Sequence, residues 1–158
     1  MIEIHRHTEG DSRVAKEPPT IAKFKKANES HCRDVVELAE YCCELLMANA
    51  RRHDWTKTTE PYMSMFYRDL CSTIEGKMEF FDGEWSKLHY VELERHHLKR
   101  HCPETVNMFD VMEMICDCVA AGMARSGDVY DVDIPPEVLT KAVANTVELL
   151  KENIQVVN

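Results

Sequence analysis

Between residues 104 and 125 the apolar residues Met108, Val111, Met112, Ile115, Val119 and Gly122 recur every three to four positions. That period places them on one helical face and cannot be met by a strand. Upstream, Val35, Leu38, Cys42 and Leu45 repeat the spacing, and His31 lies one turn before Val35 on the same face. Gly and Pro number only 5 and 6 in 158 residues, and β-branched runs are few. These features define an all-α chain, long enough for one real core and short for two. The expected architecture is a single-domain bundle of five or six helices.

Residues 1–19 are polar, end in Pro18-Pro19, and read as a flexible N-terminal arm; residues 20–158 read as the helical domain. A helix is expected from Thr20, with a break at Asn28-Glu29-Ser30, where Ser30 would cap a second helix reaching Ala50. Further helices are expected over about 60–73, 84–100 and 104–125, and from Pro135-Pro136 to about Glu152.

The formal charge of −9 argues against a surface that grips nucleic acid, but leaves room for a small phosphate ligand. No run approaches the ~18 apolar residues of a membrane span, and the polar start does not resemble a signal peptide. A cytoplasmic protein is expected, in the host cytoplasm if phage-encoded, and a homo-oligomer is compatible with the sequence. Seven cysteines are an odd number without zinc-knuckle spacing, so most are expected to be buried, reduced thiols.

Six of the eight histidines lie between residues 31 and 101. His53-Asp54 alone would also suit a solvated helix end. Its companions are His31, 22 residues upstream, and Asp117, 63 residues downstream in the most apolar helix. Asp117 has Glu113, Met114, Ala120 and Ala121 as helical neighbours. A carboxylate among such residues is costly unless paired or metal-bound, the alternative being a narrow solvated strip shared with Asp110 and Glu113. Two imidazoles and two carboxylates suit a divalent ion such as Mn²⁺, Fe²⁺, Co²⁺, Zn²⁺ or Mg²⁺. His5 and His7 in the arm read as incidental.

His31, His53-Asp54 and Asp117 together resemble the H…HD…D signature of the HD superfamily of metal-dependent phosphohydrolases. His53-Asp54-Trp55-Thr56-Lys57 is similar to the variant in which a lysine follows the pair and faces substrate phosphate. Trp85, His89, His96-His97 and the stretch from Glu113 to Asp117 further resemble small phage and bacterial HD-like proteins. The resemblance covers residues 28–125. It implies an HD-type helical bundle with His31, His53, Asp54 and Asp117 on one ion. It also implies hydrolysis of a nucleotide or related phosphoester by metal-activated water, with Asp54 and Lys57 as catalytic residues. One departure is the turn after the pair, which holds Lys57 and Thr58 where HD nucleotidases carry an acid.

A second ion could be held by the middle histidines. His97 and His101 are four apart, so a straight helix would let both reach one ion. His89 and His96 are seven apart, about 10.5 Å along an ideal helix, and could share an ion only if the helix breaks. Arg95, Lys99 and Arg100 interleave with them as expected substrate-phosphate contacts, alongside Lys57, Arg51 and Arg52. The rival functions are an HD-type di-iron oxygenase, using four histidines and two aspartates, and a catalytically silent nucleotide-binding or interaction module.

Overall fold

The computed structural model describes residues 1–6, 9–11 and 13–157. Among them the chain is mostly helical, with five α-helices and one two-stranded sheet, so the all-α expectation holds. No helix is long and apolar enough to cross a membrane among the described residues. The chain divides into two compact units, residues 1–45 with 147–158, and residues 46–146.

In the first unit, β1 (Ile2–His5) pairs in parallel with β2 (Ile154–Val157), in a register that sets Ile2 beside Ile154 and His5 beside Val157. The start of the expected arm is therefore strand, stabilised by a C-terminal segment that no local signal near residue 2 could reveal. His7 lies outside the described residues, but His5 is engaged. Its backbone N–H donates to Asp34 Oδ2 at 3.2 Å, and its Nδ1 lies 3.1 Å from Asp34 Oδ1.

Helix α1 (Ile21–Arg52) follows Thr20, whose hydroxyl accepts the Lys23 N–H at 3.3 Å as a helix cap does. The expected break at Asn28–Ser30 does not occur. The Asn28 side chain donates to the Phe24 carbonyl at 2.8 Å and so bonds within the helix rather than ending it. Along this helix Leu38, Cys42 and Leu45 of the expected stripe are half-buried, whereas Val35 and His31 at its start are exposed and Asp34 beside them is buried.

The second unit contains α2 (Tyr62–Ile74), α3 (Glu84–Lys87), α4 (Met108–Ser126) and the start of α5 (Pro136–Glu152). Helix α4 opens on a capping box: Asn107 accepts the Phe109 and Asp110 N–H groups, and Asp110 accepts that of Asn107. Its inner side joins a core of Leu98, Val106, Val111, Met114, Val138 and Ala142. Met112 and Val119, expected on that face, are about two-fifths exposed at 39% and 42%. Asp110 and Glu113, the residues of the supposed solvated strip, are buried instead.

The helix expected over 84–100 is not regular. Helix α3 passes directly into a π-helical segment, Leu88–Leu93, closed by the Glu94 N–H donating to the His89 carbonyl at 3.2 Å. Glu94 is then extended, and the chain continues in turns. π-Helical turns are rare and recur at functional sites; here the change of path gathers histidines that a straight helix would separate. Buried Asp69 anchors the first turn by accepting the Trp85 N–H at 2.8 Å. Gly83 leaves space for that carboxylate, since a Cβ there would stand 2.5 Å from Asp69 Oδ2.

All seven cysteines are free, three of them exposed and four half-buried. The expectation of reduced thiols stands, but that of full burial does not: Cys102 and Cys118 pack only half-buried against the core just described, and Cys32, Cys43 and Cys116 are exposed.

Candidate metal centre

The His53-Asp54 pair lies where α1 ends and a single 3-10 turn (Trp55–Lys57) begins. Asp54 has φ 54° and ψ 29°, the left-handed conformation, which Asp tolerates better than most side chains because it is short and polar. That backbone kink turns the carboxylate towards three imidazoles. Asp54 Oδ2 lies 3.4 Å from His53 Nε2, while Oδ1 lies 3.4 Å from His89 Nε2 and 3.8 Å from His96 Nε2. Asp117, from the middle of α4, places Oδ1 3.5 Å from His53 Nε2. His97 Nε2 completes the cluster, 2.8 Å from His89 Nε2.

Three groupings bring donor atoms within 4.8 Å of one another: His53-Asp54-His96, Asp54-His89-His97 and His96-His97-Asp117. Asp54 belongs to two of them, and together they contain His53, Asp54, His89, His96, His97 and Asp117. His31 belongs to none; it is an exposed residue of α1 in the first unit. His101 is likewise exposed and outside every grouping, although its backbone N–H donates to the His97 carbonyl at 3.1 Å.

The donor set fits a divalent ion. Asp54 Oδ1 and His96 Nε2 are buried polar atoms with no hydrogen-bond partner, an arrangement that is costly in a packed interior unless something else satisfies them. Imidazole and carboxylate without thiolate suit the harder first-row divalent metals.

Electrostatics bind the cluster together. His53, in contact with Asp117, Asp54 and Glu113, has its pKa pushed up to about 11. Burial works to raise Asp54, but His53 and Lys57 outweigh it and hold the carboxyl well below its ordinary range. Glu113 is similarly opposed by burial and brought down to about 2 by His53 and His96. Asp117 is lowered by its contact with His53. His89 and His97 behave oppositely, because burial drives both down to about 3 and leaves them neutral, as ligands must be.

The expected phosphate contacts are placed differently. Arg95 forms a two-pronged pair with Asp110, at 2.8 and 2.7 Å, and also donates to Thr105. Lys99 donates to the Asp131 carbonyl at 2.6 Å, and Arg100 lies 3.9 Å above the Phe81 ring. Each has a structural partner. Lys57, by contrast, stays at the cluster, its ammonium paired with Asp54 Oδ2, and Arg52 lines a cleft beside Glu113.

Three buried residues beside the donors were not assigned to the site from the sequence, although Glu113 and Thr56 fall within its motifs: Glu113, Glu94 and Thr56. Glu113 stands one turn before Asp117 on α4, a spacing that signals a shared face. A cleft of about 90 Å³ opens on the outer side of Glu113 and Glu94, bounded also by Asn49, Arg52, Trp55, Leu93 and Arg95.

Fold and site together define a small helical protein with a buried histidine–carboxylate cluster of metal-binding geometry. The chain belongs to a family of unknown function, DUF5662, whose model matches residues 20–155. No curated protein and no solved structure matches it.

Proposed function

We propose that the chain is a metal-dependent phosphohydrolase acting on a nucleotide or a related small phosphoester. The observation that carries the reading is Asp54, held left-handed with Oδ1 unbonded beside the Nε2 atoms of His89 and His96 and Oδ2 facing that of His53. His53, Asp54, His89, His96, His97 and Asp117 would hold one or two ions between them. A divalent ion in such a place lowers the pKa of a water and polarises a phosphoryl oxygen.

The chain's own residues supply the rest. His89 and His96 are almost fully buried, whereas the side chains of His53, Lys57 and Asp117 retain 27%, 28% and 28% of their exposure. Substrate therefore approaches from the Lys57–Asp117 side. There Lys57 would offset charge developing on the phosphoryl oxygens, and Asp54 would position the ion against it. Of the four residues that resemble the HD signature, His53, Asp54 and Asp117 lie in the cluster and support the same chemistry, while His31 lies outside it.

A second reading, a di-iron oxygenase, draws support from the count of four imidazoles and two carboxylates in the cluster. Metal analysis of protein purified without chelator, followed by a nucleotide and phosphoester panel with Mn²⁺ or Co²⁺, separates the two. Phosphate release that Asp54→Asn abolishes is the expected result. A metal-loaded protein inert to the whole panel would overturn it, and two irons with oxygen consumption would favour the second reading.

A further inference from the structure

A neutral imidazole carries one N–H, so it can present a bare Nε2 to an ion only if Nδ1 holds the proton. What lies behind each ring decides this. Behind His53, Nδ1 is 3.1 Å from Glu113 Oε1. Behind His96, Nδ1 is 3.2 Å from that same oxygen, close enough for an ion pair though off the axis of a hydrogen bond. A carboxylate oxygen only accepts, so a proton on either Nδ1 is favoured.

Behind His89 the control is indirect. The Thr56 hydroxyl is fully buried and 2.6 Å from His89 Nδ1. Its one hydrogen has a better destination, Glu94 Oε1 at 3.0 Å, which also accepts the Thr56 backbone N–H at 3.2 Å. With that hydrogen committed, Oγ1 offers His89 only a lone pair, and Nδ1 must be the donor. The ring plane is fixed as well: Trp85 stacks on His89 at 4.2 Å while its indole N–H donates to the Thr56 carbonyl at 3.3 Å.

Resting on the metal-site reading above, we propose that Glu113 and Glu94, neither of them a metal ligand, are positioning residues. Glu113 directly, and Glu94 through Thr56, hold His53, His96 and His89 as Nδ1–H rings whose Nε2 atoms face the Asp54 carboxylate. Both glutamates are buried, at 8% exposure, a costly place for a carboxylate without such a duty. Glu113 has the wider reach, because one oxygen serves two rings on different segments of the chain.

The test uses the full chain and Zn²⁺, which is diamagnetic. Long-range ¹H–¹⁵N correlation of the histidine rings in the zinc-loaded wild type should show His53, His89 and His96 protonated at Nδ1 and coordinated through Nε2. Coordination through Nδ1 would overturn the assignment without any substitution. Glu113→Gln should weaken zinc binding about 10- to 100-fold, the usual cost of losing an outer partner. It should move the His53 and His96 ring signals while sparing those of His89. Thr56→Val, close in shape, should do the reverse. Unchanged zinc affinity in folded Glu113→Gln protein would overturn this inference alone. A wild type that binds no zinc would overturn the metal site with it, whereas a zinc-binding protein that releases no phosphate would count only against the phosphohydrolase reading.

Discussion

His89 Nε2 and His97 Nε2 face each other at 2.8 Å. Two nitrogens at about 2.0–2.1 Å from one zinc-like ion stand about 3.0 Å apart at a right angle and about 3.4 Å apart in a tetrahedron. The two rings are thus a small adjustment from a shared ion. His89→Ala and His97→Ala should each lower bound metal measurably, whereas His101→Ala should leave it unchanged because His101 is exposed and outside the cluster. Elemental analysis of the purified variants checks this, and loss of metal in His101→Ala would contradict the geometry.

Asp54 combines its proposed ligand role with a left-handed backbone. Asn tolerates that conformation, and Ala does so less well, by a cost of about 1 kcal/mol. Asp54→Asn and Asp54→Ala should therefore lose metal alike, but Ala should give the lower unfolding free energy in chelator. Denaturant titration of both variants checks the order. Equal stabilities would mean the backbone relaxes out of the left-handed region.

The helical class was legible because the 3.6-residue apolar period of α4 is a local property. So, in large part, was the site: His53, Asp54, His89, His96, His97 and Asp117 were all named from the sequence, and the structure gathers them. Legibility stopped where a residue's role depends on distant chain. The β1–β2 pairing joins the two ends of the sequence. The break after Leu93 depends on Glu94, an ordinary helix former whose carboxylate is drawn instead to Thr56. Glu113 and Asp110 look like surface acids until their partners, His53, His96 and Arg95, are brought beside them.

Without metal, stability should peak near pH 6.5 and fall on both sides. His89 and His97 have folded-state pKa values of about 3, against about 6.5 for an unfolded histidine. Below pH 6.5 the unfolded chain binds two protons that the folded protein excludes, so stability drops as pH falls. His53 is raised to about 11, so its contribution is complete below 6.5 and is lost as pH rises towards 11. Each proton of difference changes stability by about 1.4 kcal/mol per pH unit. Thermal melting in EDTA from pH 5 to 9 measures the bell. His89→Phe, which keeps a ring against Trp85, should make the acid limb shallower. A flat profile would show that the imidazoles protonate freely in the folded state.

Arg95 separates a substrate contact from a structural one. The sequence suggests a phosphate ligand, yet the guanidinium is bound by both Asp110 oxygens and by Thr105. Asp110 is fully buried and also accepts the Asn107 N–H at the start of α4. Removing Arg95 leaves that carboxylate with the cap bond but no counter-charge. Arg95→Ala should therefore destabilise the fold by about 1–3 kcal/mol, the range for stranding a buried polar group, and more if water cannot reach the carboxylate. Lys57→Ala should behave in the opposite way. Its ammonium is part-exposed at the cluster rim, so stability and metal content should change little while phosphoester turnover falls by about 10²-fold. Denaturant midpoints and steady-state kinetics on the two variants together decide the matter. A stable Arg95→Ala protein with a raised KM would restore Arg95 to the substrate.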